Sequence, residues 1–216
     1  MYDNAKELIQ NEMDFEFKKQ IYYSISNGIE IFRELKIKNI EIFDSELSSN
    51  ILSRIVTFCV DMQFSPDIYI PKNGFESSIK VVNNFKHKVV ELRNANMIID
   101  IARIKGNGQL PYKSKYRLKY AQNNNFSCQQ LKLNLGENIN KIYTEPYYGI
   151  ITYNVSQNLE LEKINLVIPT LDMESYIEKI DIKNEFERFR TIQNDKQNEK
   201  TLVTLKNSII KEKKYK

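Results

Sequence analysis

The sequence predicts an α+β protein, with helices in the first 86 residues, a mainly antiparallel sheet of about five or six strands over residues 88–168, and helices again towards the C-terminus. Three observations predict it. Apolar side chains recur at spacings of three and four up to Lys86, and short or alternating apolar runs replace them from Lys88. The connectors between those runs are short, which favours antiparallel neighbours, because a parallel pair needs a crossover of a dozen residues or more.

Leu8, Ile9, Phe15, Phe17, Ile21, Tyr22 and Ile25 form the first helical stripe, with breaks expected near Asn11 and at Asn27-Gly28. Ile37, Ile40 and Ile42 fit the start of a short strand or more helix. Ser45 is an N-cap candidate for a helix over Glu46 to Met62, whose expected buried face is Leu47, Ile51, Ile55, Phe58 and Met62. Pro66 and Pro71 interrupt the chain. Gly74 to Lys86 then reads as a further helix on the stripe Phe75, Ile79, Val82 and Phe85.

Val89 to Leu92 and Met97 to Ile104 read as strands joined by the turn Arg93-Asn94-Ala95-Asn96. Gly106-Asn107-Gly108 and Pro111 mark a longer connection, and Asn123-Asn124-Asn125 a turn. Leu131, Leu133 and Leu135 alternate with polar residues as a half-buried strand should, with the leucines expected to face the helices. Tyr148 to Val155 and Lys163 to Ile168 follow, split by Ser156-Gln157-Asn158. Met173 to Ile180 and Thr201 to Ile210 read as helices. The expected organisation is one domain over 1–184 and a charged helical arm over 185–216.

Composition narrows the function classes. Apolar residues make up 41% of the 216, enough for a core and against global disorder. No run approaches the ~18 apolar residues of a membrane helix. The first fourteen residues lack the apolar stretch of a signal peptide. Cys59 lies in an apolar run and is expected as a buried free thiol. With only Cys128 besides it, a reducing, cytoplasmic setting is expected. Richness in Lys, Asn and Ile reflects a codon bias toward A and T and suits a gene of a mobile element or defence system.

Charge is unevenly placed. The net charge is +4, yet Ile101 to Gly136 holds seven basic residues and no acidic one, and residues 183–216 carry +5, which leaves −8 on the rest. The most regular segment is Tyr112-Lys113-Ser114-Lys115-Tyr116-Arg117-Leu118-Lys119-Tyr120. As a strand it would send Lys113, Lys115, Arg117 and Lys119 to one face and the tyrosines and Leu118 to the other. Cations about 6.7 Å apart repel unless anions lie between them, and phosphates are the natural anions. Arg103 and Lys105 would widen the row. The expected partner is therefore nucleic acid, held by Arg103, Lys105, Lys113, Lys115, Arg117 and Lys119. An acidic protein surface is the alternative, with the chain acting as an inhibitor or accessory subunit. A lysine-guarded edge strand explains the same pattern without any partner.

Catalytic chemistry has little material. His87 is the only histidine, which removes a Ser-His-Asp triad and two-histidine metal sites within one chain. No P-loop motif is present, and Gly106-Asn107-Gly108 lacks the rest of a dinucleotide fingerprint. Carboxylates with Mg²⁺ are what remains: a nuclease would use Glu91, Asp100 and Lys105, on consecutive strands. Its usual spacing is absent, because Arg103 stands two before Lys105, and Asp100 and Lys105 are an odd number apart. Without that chemistry no cofactor is expected. The tail stripe Leu202, Leu205 and Ile209 suits docking on its own domain or a homodimer.

Overall fold

The computed structural model describes residues 2–105, 110–126 and 145–191. Leu131, Leu133, Leu135, Lys132, Cys128 and the 201–210 stripe lie outside the described residues. The chain divides into two units, 1–182 and 183–216. In the second unit, residues 183–191 are helical.

The first unit is an α+β fold on one six-stranded sheet in the order β1-β2-β3-β4-β5-β6, matching the predicted class. The helices are α1 (Ala5–Glu12), α2 (Phe15–Lys38), α3 (Ile40–Phe43), α4 (Ser49–Gln63) and α5 (Lys115–Ala121). The strands are β1 (Glu76–Val81), β2 (Lys88–Arg93), β3 (Met97–Arg103), β4 (Tyr147–Val155), β5 (Leu161–Pro169) and β6 (Tyr176–Asp181). Every neighbouring pair is antiparallel except β3 with β4, which run parallel. That pair needs a crossover, and α5 lies within it.

Side-chain parity sorts the sheet into two faces. Met97, Ile99 and Ile101 of β3 join Ile151, Tyr153, Leu166 and Ile168 in the core built with α1, α2 and α4. Ile98 and Ala102 join Tyr148, Ile150 and Ala121 in a smaller core under α5. Every residue of β4 is buried, as befits a strand covered on both sides. Buried Glu12 ties α1 to the β2–β3 turn by accepting from Asn94 Nδ2 at 2.5 Å and Asn96 Nδ2 at 2.8 Å. Asn124 binds the chain after α5 to the sheet, donating to Tyr148 O and Pro169 O, both at 2.9 Å.

Several predicted elements change type or extent. α2 runs unbroken through Asn27-Gly28 and past Ile37, and Ile40 to Ile42 are helical too. The segment read as a helix over 74–86 contains β1 and a turn instead. Ser77-Ser78-Ile79-Lys80-Val81 is β-prone, and the turn at Asn83 closes through Val82 N–H to His87 O at 2.9 Å. Tyr112 to Tyr120 is not a strand: its second half is α5. Met173 to Ile180 gives β6, after a turn in which Thr170 N–H meets Ser175 O at 3.0 Å. Ser45 accepts from Leu47 N–H but caps only a single 3-10 turn, Glu46–Ser48; α4 begins at Ser49, and Ser48 before it makes no side-chain capping bond. The α4 face is turned, however: Val56, Cys59, Val60 and Gln63 are buried, while Leu47 is 76% and Phe58 66% exposed. The run from Ile55 to Val60 is apolar on nearly every side, so periodicity alone does not select its inner face. Cys59 is buried and free as expected.

The α2–α4 contact explains Gly28. A Cβ there would stand 2.6 Å from Val60 Cα and 2.8 Å from Cys59 O, both backbone atoms that cannot swing aside. Gly28→Ala gains about 1 kcal/mol of helix propensity. Forcing the two helices apart costs more, typically 1–3 kcal/mol and above. Denaturant unfolding is expected to show a net loss of about 1–2 kcal/mol, whereas a stabilised variant would mean the crossing tolerates a methyl group.

Candidate functional site

β2 and β3 pair only over three positions, ending at Glu91 opposite Asp100. Beyond that pair, Lys88 to Val90 stay with β1 and Ile101 to Arg103 stay with β4. The strands part, and a cleft of about 760 Å³ opens between them. Thr57 and Asp61 of α4 line it, with the β1–β2 turn, the end of β3, and the stretch from Pro111 into α5.

Glu91 and Asp100 sit at the closed end of the split, both buried on the α5 face. The structure brings these two predicted residues together as register partners, but each already has partners within the fold. Asp100 Oδ2 accepts from Arg117 Nε at 2.7 Å, Tyr116 OH at 2.9 Å and Tyr148 OH at 3.3 Å. Glu91 accepts from Tyr120 OH at 2.8 Å and pairs with Lys80 at 2.6 Å. Burial acts to lower the pKa of Arg117, but Asp100, Tyr116 and Tyr148 together outweigh it and the net shift is upward. Burial and then Asp100 raise Tyr116 and Tyr148, so both hydroxyls stay protonated donors. Two carboxylates matched by Arg117, Lys80 and three phenols act as acceptors and counter-ions. Among the described residues no group of three or more His, Cys, Asp or Glu is placed to hold a metal ion. Lys105 lies exposed past the end of β3.

The predicted basic row is dispersed because its strand is absent. On α5, Tyr116, Arg117 and Tyr120 turn to the sheet, while Lys115 and Lys119 are exposed. Lys113 pairs with Glu174. Arg103 turns to the opposite face of the sheet and reaches Ser53 of α4. Of the six residues, Arg103, Lys115 and Arg117 line the cleft. Lys88 and His87 join them from the other wall.

Two aromatic rings belong to this cleft and face solvent almost entirely: Phe85 is 93% and Tyr112 87% exposed. Phe85 projects from the turn whose next residue, Lys86, is held at φ 56 and whose Lys86 N–H meets Asn83 O at 3.1 Å. Asp61 is the group that sequence reasoning missed, since nothing in an apolar helix flags one acid. Burial, and then the nearby Asp100, push its carboxyl up to about 7, while Arg117 acts the other way. Compared with known proteins, the chain matches no family model, no curated sequence and no solved structure.

The Asp100–Arg117 pair predicts a large truncation effect. Asp100→Ala leaves a buried guanidinium unpaired, and a loss of about 3–5 kcal/mol is expected in denaturant unfolding. A loss below about 1 kcal/mol would show that the pair behaves as a surface contact.

Asp61 predicts a pH dependence. The folded chain keeps a proton that the unfolded chain, with a value near 3.8, has released by about pH 7. This group's stabilisation is complete below about pH 4 and is lost as pH rises through 7. Asp61→Asn is expected to exceed wild type in stability above pH 7 by on the order of 2–4 kcal/mol, with the gap closing towards pH 4. Thermal unfolding of both proteins across that range reads the difference. Parallel profiles would mean that Asp61 titrates as an exposed carboxylate does.

Proposed function

We propose that this chain is a nucleic-acid-binding protein whose binding surface is the cleft where β2 and β3 part, rather than a basic strand. The observation that carries the reading is the pair of nearly bare rings, Phe85 and Tyr112, on a cleft that also presents Lys88, Arg103 and Lys115. Cations draw the phosphates of a strand, and aromatic faces stack its bases without demanding a sequence. Single-stranded nucleic acid is the favoured class, because its bases are free to leave a stack and meet a ring. Lys105 and Lys119, both exposed, extend the positive surface beyond the cleft.

An acidic protein partner would use the same cations but gives no role to two bare rings of opposite walls. A Mg²⁺-dependent nuclease on Glu91, Asp100 and Lys105 would first have to displace Arg117 and Lys80 from the carboxylates. The nuclease alternative is read in the same experiment.

Titration of a labelled oligothymidylate at a series of salt concentrations tests the proposal. With three to four phosphates neutralised, log affinity against log salt is expected to slope at about −2 to −3. Phe85→Ala and Tyr112→Ala should each weaken binding by about 1–3 kcal/mol. Their stability should stay within about 0.5 kcal/mol of wild type, since neither ring packs in a core. No binding at low salt overturns the reading. Binding that keeps its salt slope and ignores both ring substitutions favours a purely electrostatic surface elsewhere, and Mg²⁺-dependent cleavage of the probe favours the nuclease.

A further inference from the structure

The β2–β3 cleft holds one group at odds with an anionic ligand. Asp61 lines it from α4 together with Thr57. The two stand four apart, so they share the helix face that is turned to the cleft. Asp61 is half-buried. Among the described residues its carboxyl makes no hydrogen bond, and its oxygens are not among the buried side-chain atoms that lack a partner, so they reach solvent in the cleft. Asp100 and Arg117 act on it electrostatically, and it acts in turn on the buried Tyr153 hydroxyl of β4, which stays protonated. His87, Lys88, Arg103, Tyr112, Lys115 and Tyr116 are the other titratable or charged residues lining the cleft.

A carboxylate repels phosphate, so the part of a nucleotide it attracts is the edge of the base. Guanine alone among the four bases sets two N–H donors side by side, N1–H and N2–H, and these match the two oxygens of one carboxylate. Adenine and cytosine offer a single amino group, and the imino donor of thymine lies between two carbonyls that a carboxylate repels. A protonated carboxyl, with one donor and one acceptor, pairs with any of the four and discriminates little.

We propose that Asp61 reads the base in the cleft, its two carboxylate oxygens accepting N1–H and N2–H of a guanine that enters past Phe85 and Tyr112. The inference rests on the nucleic-acid reading of the cleft and deepens it: the cations hold the backbone of any strand, and Asp61 sets which base is held best. The discriminating form is the ionised one. Burial and then Asp100 keep the proton on Asp61 up to about 7, so the preference for guanine grows as pH rises through that value.

Labelled oligothymidylates whose central thymine is kept, or replaced by guanine or by hypoxanthine, test it on the full chain. Hypoxanthine is guanine without the N2 amino group. At about pH 8 guanine is expected to bind roughly tenfold more tightly than thymine, and hypoxanthine to lose most of that gain. At about pH 5.5 the guanine-to-thymine ratio should fall to within about threefold. The ratio cancels whatever His87 and the lysines do to every oligonucleotide alike. Asp61→Asn leaves one acceptor in place of two and should hold the ratio near one at both pH values. The wild-type ratios need no variant and stand even if the substitution unfolds the chain. If oligothymidylate binds and guanine brings no gain at about pH 8, the inference is overturned and the cleft reading survives. A ratio indifferent to pH, to loss of the N2 amino group or to Asp61→Asn in the folded chain also overturns it. If no oligonucleotide binds at low salt, the cleft reading falls and this inference with it.

Discussion

Much of the first unit depends on the buried carboxylate of Asp100. Its Oδ2 gathers Arg117 and the hydroxyls of Tyr116 and Tyr148, so one atom joins α5 to β3 and β4. A buried ion pair is a doubtful source of net stability, because desolvation offsets its attraction. Its effect is directional. Few arrangements satisfy a carboxylate with a guanidinium and two phenols at once, and the one adopted sets the rotation of α5. That rotation sends Lys115 outward and, through Arg117 Nη1 to Tyr112 O at 3.1 Å, holds the backbone that displays the Tyr112 ring.

The parallel pairing of β3 with β4 is the second constraint. It forces the chain to leave the sheet after β3 and re-enter at Tyr147. The antiparallel hairpin of β1 and β2 is under no such demand and turns back early through Asn83. β3 is held by β4 along its length, but by β2 over three positions only. The cleft follows from that unequal pairing, with rigid strands as walls and α4 as its floor.

The sequence was legible where one period dominated. The turn at Asn94 and the strands on either side of it were read correctly, because Asn94 Oδ1 closes the turn locally, accepting from Asn96 N–H at 2.9 Å and Met97 N–H at 2.7 Å. Tyr112 to Tyr120 failed because its residues satisfy two periods together. Lysines and tyrosines alternate, yet Tyr116 and Tyr120, and Lys115 and Lys119, also stand four apart. Asp100 decides between them by rewarding the helix, and it acts from another strand. The stretch from Phe75 to Phe85 failed in the opposite sense: its apolar residues suit a helix by spacing, but Phe75 belongs to the core, stacked on Phe17 at 4.5 Å, and Phe85 to solvent. Glu91 and Asp100 were found as a pair from strand order alone. Their partners were not, because tyrosines in a helix and a lysine one strand away leave no pattern in the chain.

Local rules break most densely in the cleft. Asp61 is a carboxylic acid kept near neutrality by burial and a like charge, Arg103 holds an unfilled donor, and Phe85 and Tyr112 offer their rings to water. Each is uncomfortable alone, and sequences that fold well keep such conflicts few. A second cavity, of about 580 Å³ between α2 and the 63–70 segment, makes a useful contrast. It also contains unsatisfied groups, Gln20 Oε1 and the Tyr69 hydroxyl. Its amides nevertheless pair within the fold, Asn27 Nδ2 donating to Gln63 Oε1 at 2.6 Å and Gln20 Nε2 to Ile70 O at 2.7 Å, and Glu30 is the charged residue among those lining it. Positive charge and bare rings coincide in the cleft between β2 and β3. Their coincidence, more than any one of them, is what the proposed binding of an anionic, aromatic ligand rests on.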